Sequence, residues 1–293
     1  MKNTSLKRIC LLAVLILFFV NRPMSDAQSV PASTPRGEAS FLYAMKDDAG
    51  CRQWVDSVMQ TLSLRERIGQ LFIYTIAPTQ TKANVDLLRK VVKDYKVGGL
   101  LFSAGEVPDQ VALTNLAQEW ADVPLMITLD GEWGLAMRLK ETPRFPRNMV
   151  LGCIADDNLL YEYGREVARE CREMGIHVNF APVADVNINP SNPVINTRSF
   201  GEDPANVARK VVAYARGLED GGVVSVAKHF PGHGDTNVDS HKALPTLHFS
   251  RERLDSVELY PFRQVIDAGL NGIMVGHLAV PALEGREGVP TSL

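Results

Sequence analysis

From about residue 50 onward, short runs of apolar, β-branched residues alternate with longer stretches in which apolar positions recur every three or four residues. That alternation is the pattern of parallel strands buried by crossover helices. Strands are predicted at 71–76, 99–102, 125–129, 178–182, 223–228 and 272–275. The helices between them have readable ends. Ser63 and Glu66 form a capping box, and Asp203-Pro204 supplies an N-cap and a first-turn proline for a helix that Gly221 closes. Within that helix Val207, Val211, Val212, Ala215 and Leu218 make one apolar stripe to lay against a sheet. A second helix is predicted over 158–174, ending at Gly175.

Six βα units fit either an open doubly wound sheet or an incomplete ring, and periodicity alone does not separate them. The polar residues favour the ring. Asp130 and Glu132, Asn179 and Asp185, Lys228 and His229, and finally His277 follow successive strands at their carboxyl ends. Contributions from so many strands suit a closed architecture whose strand ends converge on one axis. No dinucleotide fingerprint follows the first strand. The predicted fold is therefore α/β, a (β/α)8 TIM-type barrel with about six of its eight units in the sequence. Because the sequence stops at Leu293, soon after the sixth strand, the barrel is expected to be truncated at that end.

Composition narrows the partners. With 31 basic against 34 acidic residues, a net charge of -3 and no basic cluster, the chain offers nothing to attract nucleic acid. Lys2, Lys7 and Arg8 precede an apolar run over 9–20 and a small-residue cleavage site ending at Ala27. This is the layout of a bacterial secretory signal, 1–27, and the run is shorter than the roughly 20 residues needed to span a bilayer. No stable membrane anchor is expected, and the mature protein is expected in the periplasm. Residues 28–50, rich in Ser, Pro, Ala and Gly, read as a linker, leaving 51–293 as the barrel domain. Of four cysteines, Cys10 falls inside the signal, and Cys51, Cys153 and Cys171 are too scattered to suggest a zinc site or a disulfide framework.

The densest chemistry is the segment 228–241, KHFPGHGDTNVDSH, immediately after the fifth predicted strand. Its glycines allow sharp turns and its proline limits freedom, so the segment can place side chains over a pocket. His229 and His233 are four residues apart with Asp235 nearby, but Pro231 and Gly232 disfavour the helix that would bring such a pair onto one metal. No metal and no cofactor is expected.

The run 228–236, KHFPGHGDT, resembles the signature of glycoside hydrolase family 3. Further blocks resemble that family's barrel in the same order: ITLDGEWG (127–134), NFAPV (179–183), DVNINP (185–190), NPVINTRSFGEDP (192–204) and IMVGHLAVP (273–281). Asp239-Ser240-His241 is similar to the Asp-x-His dyad of the family's bacterial N-acetylglucosaminidase branch. The resemblance implies a retaining exo-β-N-acetylglucosaminidase acting on terminal β-linked N-acetylglucosamine of cell-wall or chitin-type oligosaccharides. His241 would be the acid/base and Asp239 its supporting carboxylate, a task that other retaining glycosidases give to a second carboxyl group.

By the same resemblance Asp130, Arg198, Lys228 and His229 would hold the sugar. His277 would either line the site or be a satisfied core histidine. The family's nucleophile, an Asp after the seventh strand, would lie beyond Leu293, so none is named. The sequence also departs from the usual form around Asp130. There Gln-Glu-Gly-Gly is ordinarily followed by Arg, whereas here Gly131-Glu132-Trp133-Gly134 leads into Leu135, with Arg138 further on. Two other readings stand beside this one: another family 3 β-glycosidase, such as a β-glucosidase, and a non-catalytic sugar-binding fragment.

Overall fold

A computed structural model describes residues 48–286 and 289–291. The predicted export signal, Cys10 and residues 28–47 of the predicted linker lie outside the described residues, as does Leu293. The described chain opens with helices α1 (Ala49–Thr61) and α2 (Leu64–Gly69). It then alternates β1 (Ile73–Ile76), α3 (Lys82–Lys93), β2 (Gly99–Phe102), α4 (Val107–Trp120), β3 (Met126–Leu129), short α5 (Asn148–Leu151), α6 (Asp157–Glu173), β4 (Val178–Asn179), α7 (Pro204–Asp220) and β5 (Val224–Phe230). Helices α8 (Arg251–Ser256) and α9 (Tyr260–Asp267) lead to β6 (Gly272–Val275).

All six strands are parallel and lie side by side in chain order, β1-β2-β3-β4-β5-β6. A doubly wound sheet reverses direction at a switch point, and this one does not. Each unit instead steps to the next neighbour, as in an incomplete TIM-type barrel with flanking helices. All six predicted strands are present, with altered ends. Leu71 and Phe72 belong to a turn whose N–H groups donate to Ile68 and Gly69, so β1 starts at Ile73. β4 stops at Asn179 because Ala181 N–H turns back to Asn179 O and Pro182 has no N–H for a ladder.

Helix ends follow their caps. The Asp48 carboxylate accepts the N–H of Cys51, so α1 begins at Ala49, two residues before the predicted domain boundary. The Ser63–Glu66 capping box forms, though its helix runs only to Gly69. Asp203 caps α7 and Gly221 closes it, with Val207, Val211, Ala215 and Leu218 buried and Val212 half-buried.

α6 and α7 cross with their backbones touching. A Cβ at Gly217 would lie 2.2 Å from Tyr161 O and 2.9 Å from Gly164 Cα, so glycine is needed for the approach. Gly217→Ala is expected to destabilise the domain by roughly 1–3 kcal/mol, by forcing the helices apart. A urea titration at an unchanged m-value checks this, and an unshifted midpoint would show that the crossing relaxes freely. That crossing also carries Tyr163 and Tyr214, whose rings pack 4.7 Å apart directly beneath the polar strand ends.

The two sheet edges are apolar and open among the described residues. Leu71 is 83% exposed and Phe72 60% beside β1, and Val275 is 48% exposed on β6. A groove of about 710 Å³ opens between α2 and β1, lined by Leu64, Ile68, Phe72, Tyr74 and Tyr95. None of the predicted site residues lines it.

Candidate functional site

The polar groups after β3, β4 and β5 meet at the carboxyl ends of the strands because the backbone that carries them is tied down from below. Asn179 on β4 accepts from Gly131 N–H at 2.9 Å and donates to Gly131 O at 3.1 Å. Tyr214 donates its hydroxyl to the same carbonyl at 3.1 Å, and Tyr163 donates to Glu132 O at 3.3 Å. The loop after β3 is thereby fixed before any side-chain charge is considered. After β4 the chain runs along β5, with Lys228 N–H donating to Pro182 O and Ala184 N–H to Lys228 O, which sets Asp185 beside His229.

On that frame sits a cluster of charges. Lys228, almost wholly buried, donates to Asp130 Oδ1 and Glu132 Oε1, each at 2.9 Å. Arg198 holds Glu132 with two prongs, Nη2 to Oε1 at 2.6 Å and Nε to Oε2 at 2.9 Å. Arg138 donates to Asp130 Oδ2 at 2.9 Å. Arg138, which follows the departure from the family's usual form, thus reaches the Asp130 carboxylate.

Burial would raise the Glu132 carboxyl, but Lys228 and Arg198 outweigh it and hold it at about 2. Asp130 is shifted the same way, with burial opposed and overcome by Lys228 and Arg138. Arg198 loses by burial and gains more from Glu132, so its guanidinium is firmly charged.

Asp185 is the second buried anion. Its carboxylate accepts His229 Nδ1 at 2.7 Å, His229 N–H at 3.2 Å and His233 N–H at 2.7 Å. These donors overcome the burial that would otherwise raise its carboxyl, and keep it ionised. Arg198 Nη2 approaches His229 Nε2 at 3.3 Å. A guanidinium only donates, so Nε2 accepts and the imidazole hydrogen sits on Nδ1, facing Asp185.

Beyond β5 the loop 231–236 is seated on the segment after β4. Asn192 donates to His233 O at 2.8 Å and Asn189 to Thr236 O at 3.1 Å, while a Cβ at Gly234 would meet Val186 O at 1.8 Å. Half-buried Asp239 and exposed His241 follow as a pair, Nδ1 to Oδ1 at 2.9 Å, with the same oxygen accepting His241 N–H at 2.9 Å. Those two bonds lower the Asp239 carboxyl. The His241 side chain is 84% exposed.

Asp130, Arg198, Lys228 and His229 are thus brought together, and Asp239 and His241 pair on the adjoining loop. His277 is exposed after β6, the strand at the sheet edge. The preceding Gly276 lies against His229, where a Cβ would be 3.4 Å from His229 Cβ. Glu132 and Asp185 stood in the sequence only as polar strand-end residues, yet they are the buried anions that organise the cluster. Among the described residues no group of three metal-ligating side chains occurs. Cys51, Cys153 and Cys171 are all free, and burial pushes the Cys171 thiol up to about 12.

The model of the glycosyl hydrolase family 3 N terminal domain matches residues 63–293. The chain belongs to glycosyl hydrolase family 3. It is 38% identical over 214 residues to beta-hexosaminidase A of Pseudoalteromonas piscicida, covering 68% of this chain and 36% of that protein. It is 36% identical over 241 residues to beta-hexosaminidase LpqI of Mycobacterium tuberculosis, covering 79% and 58%. A solved family 3 β-N-acetylglucosaminidase from Paenibacillus sp. superposes with a TM-score of 0.71 at 38% identity, covering 78% of this chain and 44% of the other. This family 3 chain therefore spans between about a third and three fifths of the length of these relatives.

Proposed function

We propose that this family 3 chain is the catalytic barrel of a retaining exo-β-N-acetylglucosaminidase that removes terminal β-linked N-acetylglucosamine from cell-wall or chitin-type oligosaccharides. The observation that carries the reading is the 2.9 Å pairing of His241 Nδ1 with Asp239 on the loop beside the charge cluster. With Nδ1–H engaged by the carboxylate, Nε2 is the atom that exchanges protons. It gives one to the departing glycosidic oxygen, and in the second half-reaction takes one from water. Asp239 fixes the tautomer and stabilises the imidazolium that forms in between. The carboxylate that attacks the anomeric carbon is not assigned to any residue here.

The sugar-binding roles belong to the same proposal. Lys228 has three N–H donors and spends two on Asp130 and Glu132, which leaves one for a sugar oxygen. Asp130 accepts one bond on each oxygen and keeps lone pairs for hydroxyl hydrogens. Glu132 has its charge matched by Lys228 and Arg198, so its role is to hold those cations in place. The names of the relatives, two beta-hexosaminidases and one β-N-acetylglucosaminidase, point to the same substrate class.

The test compares p-nitrophenyl N-acetyl-β-D-glucosaminide with p-nitrophenyl β-D-glucoside as substrates of the full-length gene product. Faster turnover of the N-acetylglucosaminide is expected. Preference for the glucoside would make this a β-glucosidase-type member of the family, and binding without release from either substrate would make it a sugar-binding protein.

A further inference from the structure

Ser240, the residue between the two members of the dyad, is attached to the buried framework through one imidazole. His233 Nε2 lies 2.9 Å from Ser240 Oγ, and its Nδ1 lies 2.7 Å from Thr236 Oγ1. The hydrogens can be placed so that every partner is satisfied. Asn192 Nδ2 donates to Thr236 Oγ1 at 3.3 Å, and Thr236 Oγ1 donates to His233 O at 3.1 Å. His233 Nδ1–H then donates to Thr236 Oγ1, and Nε2 accepts from the Ser240 hydroxyl. Burial lowers the His233 imidazole, which favours this neutral form.

The same residue is fixed at its other end. His233 N–H donates at 2.7 Å to Asp185, the carboxylate that also orients His229 against Arg198. His233 is almost wholly buried, so its ring has little freedom to drift. The next residues on the loop carry the opposite character: Asn237, His241, Lys242 and Ala243 are exposed. Among the described residues, this exposed stretch bearing the acid/base thus joins the buried cluster by a single side-chain hydrogen bond, at Ser240.

We infer that His233 is a positioning residue: its bond to Ser240 docks the Asp239–His241 loop on the buried Asp185 anchor and so sets where the acid/base imidazole meets the glycosidic oxygen. This rests on the dyad reading above. It assigns to Ser240 a hydroxyl needed for geometry, and to Asp185 control of both halves of the site.

Two measurements test it. The first needs no turnover: in Ser240→Ala, amide exchange of residues 236–242 is expected to accelerate about five- to tenfold, the opening expected on losing one net hydrogen bond. Exchange in β5 should not change, and Ser240→Thr, which keeps the hydroxyl, should restore protection. Unchanged exchange in Ser240→Ala would overturn the tether.

The second places Ser240→Ala in His241 and His241→Ala backgrounds of the full-length gene product, with an N-acetylglucosaminide bearing an unactivated sugar aglycone. A loss of about tenfold in kcat is expected with His241 present, and none without it. Equal losses in both backgrounds, or no loss in either, would overturn positioning even if the loop opens. Failure of the dyad reading would show differently, as indifference of the His241→Ala effect to the leaving group, while the exchange result still reports on the tether.

Discussion

Glu132→Gln is expected to destabilise the domain by about 3–5 kcal/mol, because it removes the anion from a buried cluster and leaves its cations in place. Lys228 and Arg198 converge on Glu132 from two elements, and Glu132 itself has no solvent exposure. Glutamine matches the carboxylate in size but offers one acceptor oxygen instead of two charged ones. One prong of Arg198 then faces an amide N–H, and the Lys228 ammonium keeps only Asp130 as an anionic partner. Urea unfolding near neutral pH reads the loss.

The acid dependence supplies a second, independent signature. The Glu132 carboxyl is held at about 2, below its ordinary 4.5. A depressed carboxylate contributes stability that is whole above its unfolded value and lost as pH falls through its folded one. That contribution, about 3 kcal/mol, fades between roughly pH 4.5 and 2. Glu132→Gln should therefore flatten the acid limb of the stability curve as well as lower its plateau. A variant that unfolds within 1 kcal/mol of the parent and keeps the same acid slope would show that solvent, not Glu132, balances Lys228 and Arg198.

Why the sequence reveals some of this and hides the rest follows from the range of the forces involved. Strands such as 99–102 and 272–275 are local apolar runs, and capping at Ser63 or Asp203 involves residues two or three apart, so both are legible from neighbours alone. Strand ends are set by other parts of the chain. β4 is cut to two residues because the chain after it turns away to lie along β5, a pairing across more than forty positions.

The same distinction divides the site. Asp239 and His241 are two residues apart, and a resemblance carried by three consecutive residues names the pair that bonds. Glu132 meets Arg198 across 66 positions and Asp185 meets His229 across 44. Only a clue remains in the sequence for such pairs, an acidic residue just past a strand otherwise made for burial. The role of Ser240 is hidden for a different reason, since a serine in a polar loop gives no hint that its hydroxyl has a buried partner.

His241→Ala is expected to slow hydrolysis of N-acetylglucosaminides with unactivated sugar aglycones by about 10²–10⁴-fold, the usual worth of a positioned general acid. An alkoxide leaves poorly without a proton, so the first half-reaction then becomes limiting. A dinitrophenolate departs without help, and for that aglycone the same half-reaction should barely change. Hydrolysis of the dinitrophenyl substrate should still be slowed, because water attacking the glycosyl-enzyme also needs His241 as its base. Azide attacks as an anion and needs no base. Added azide should therefore rescue His241→Ala on the activated substrate with formation of the glycosyl azide, and should do nothing for the unactivated one. This pattern also separates a chemical role from a structural one. His241 is exposed and bonded only within its own turn among the described contacts, so its loss should leave the unfolding midpoint where it was. Equal slowing for both aglycones, without azide rescue, would remove His241 from proton transfer and return the acid/base to a residue elsewhere at the strand ends.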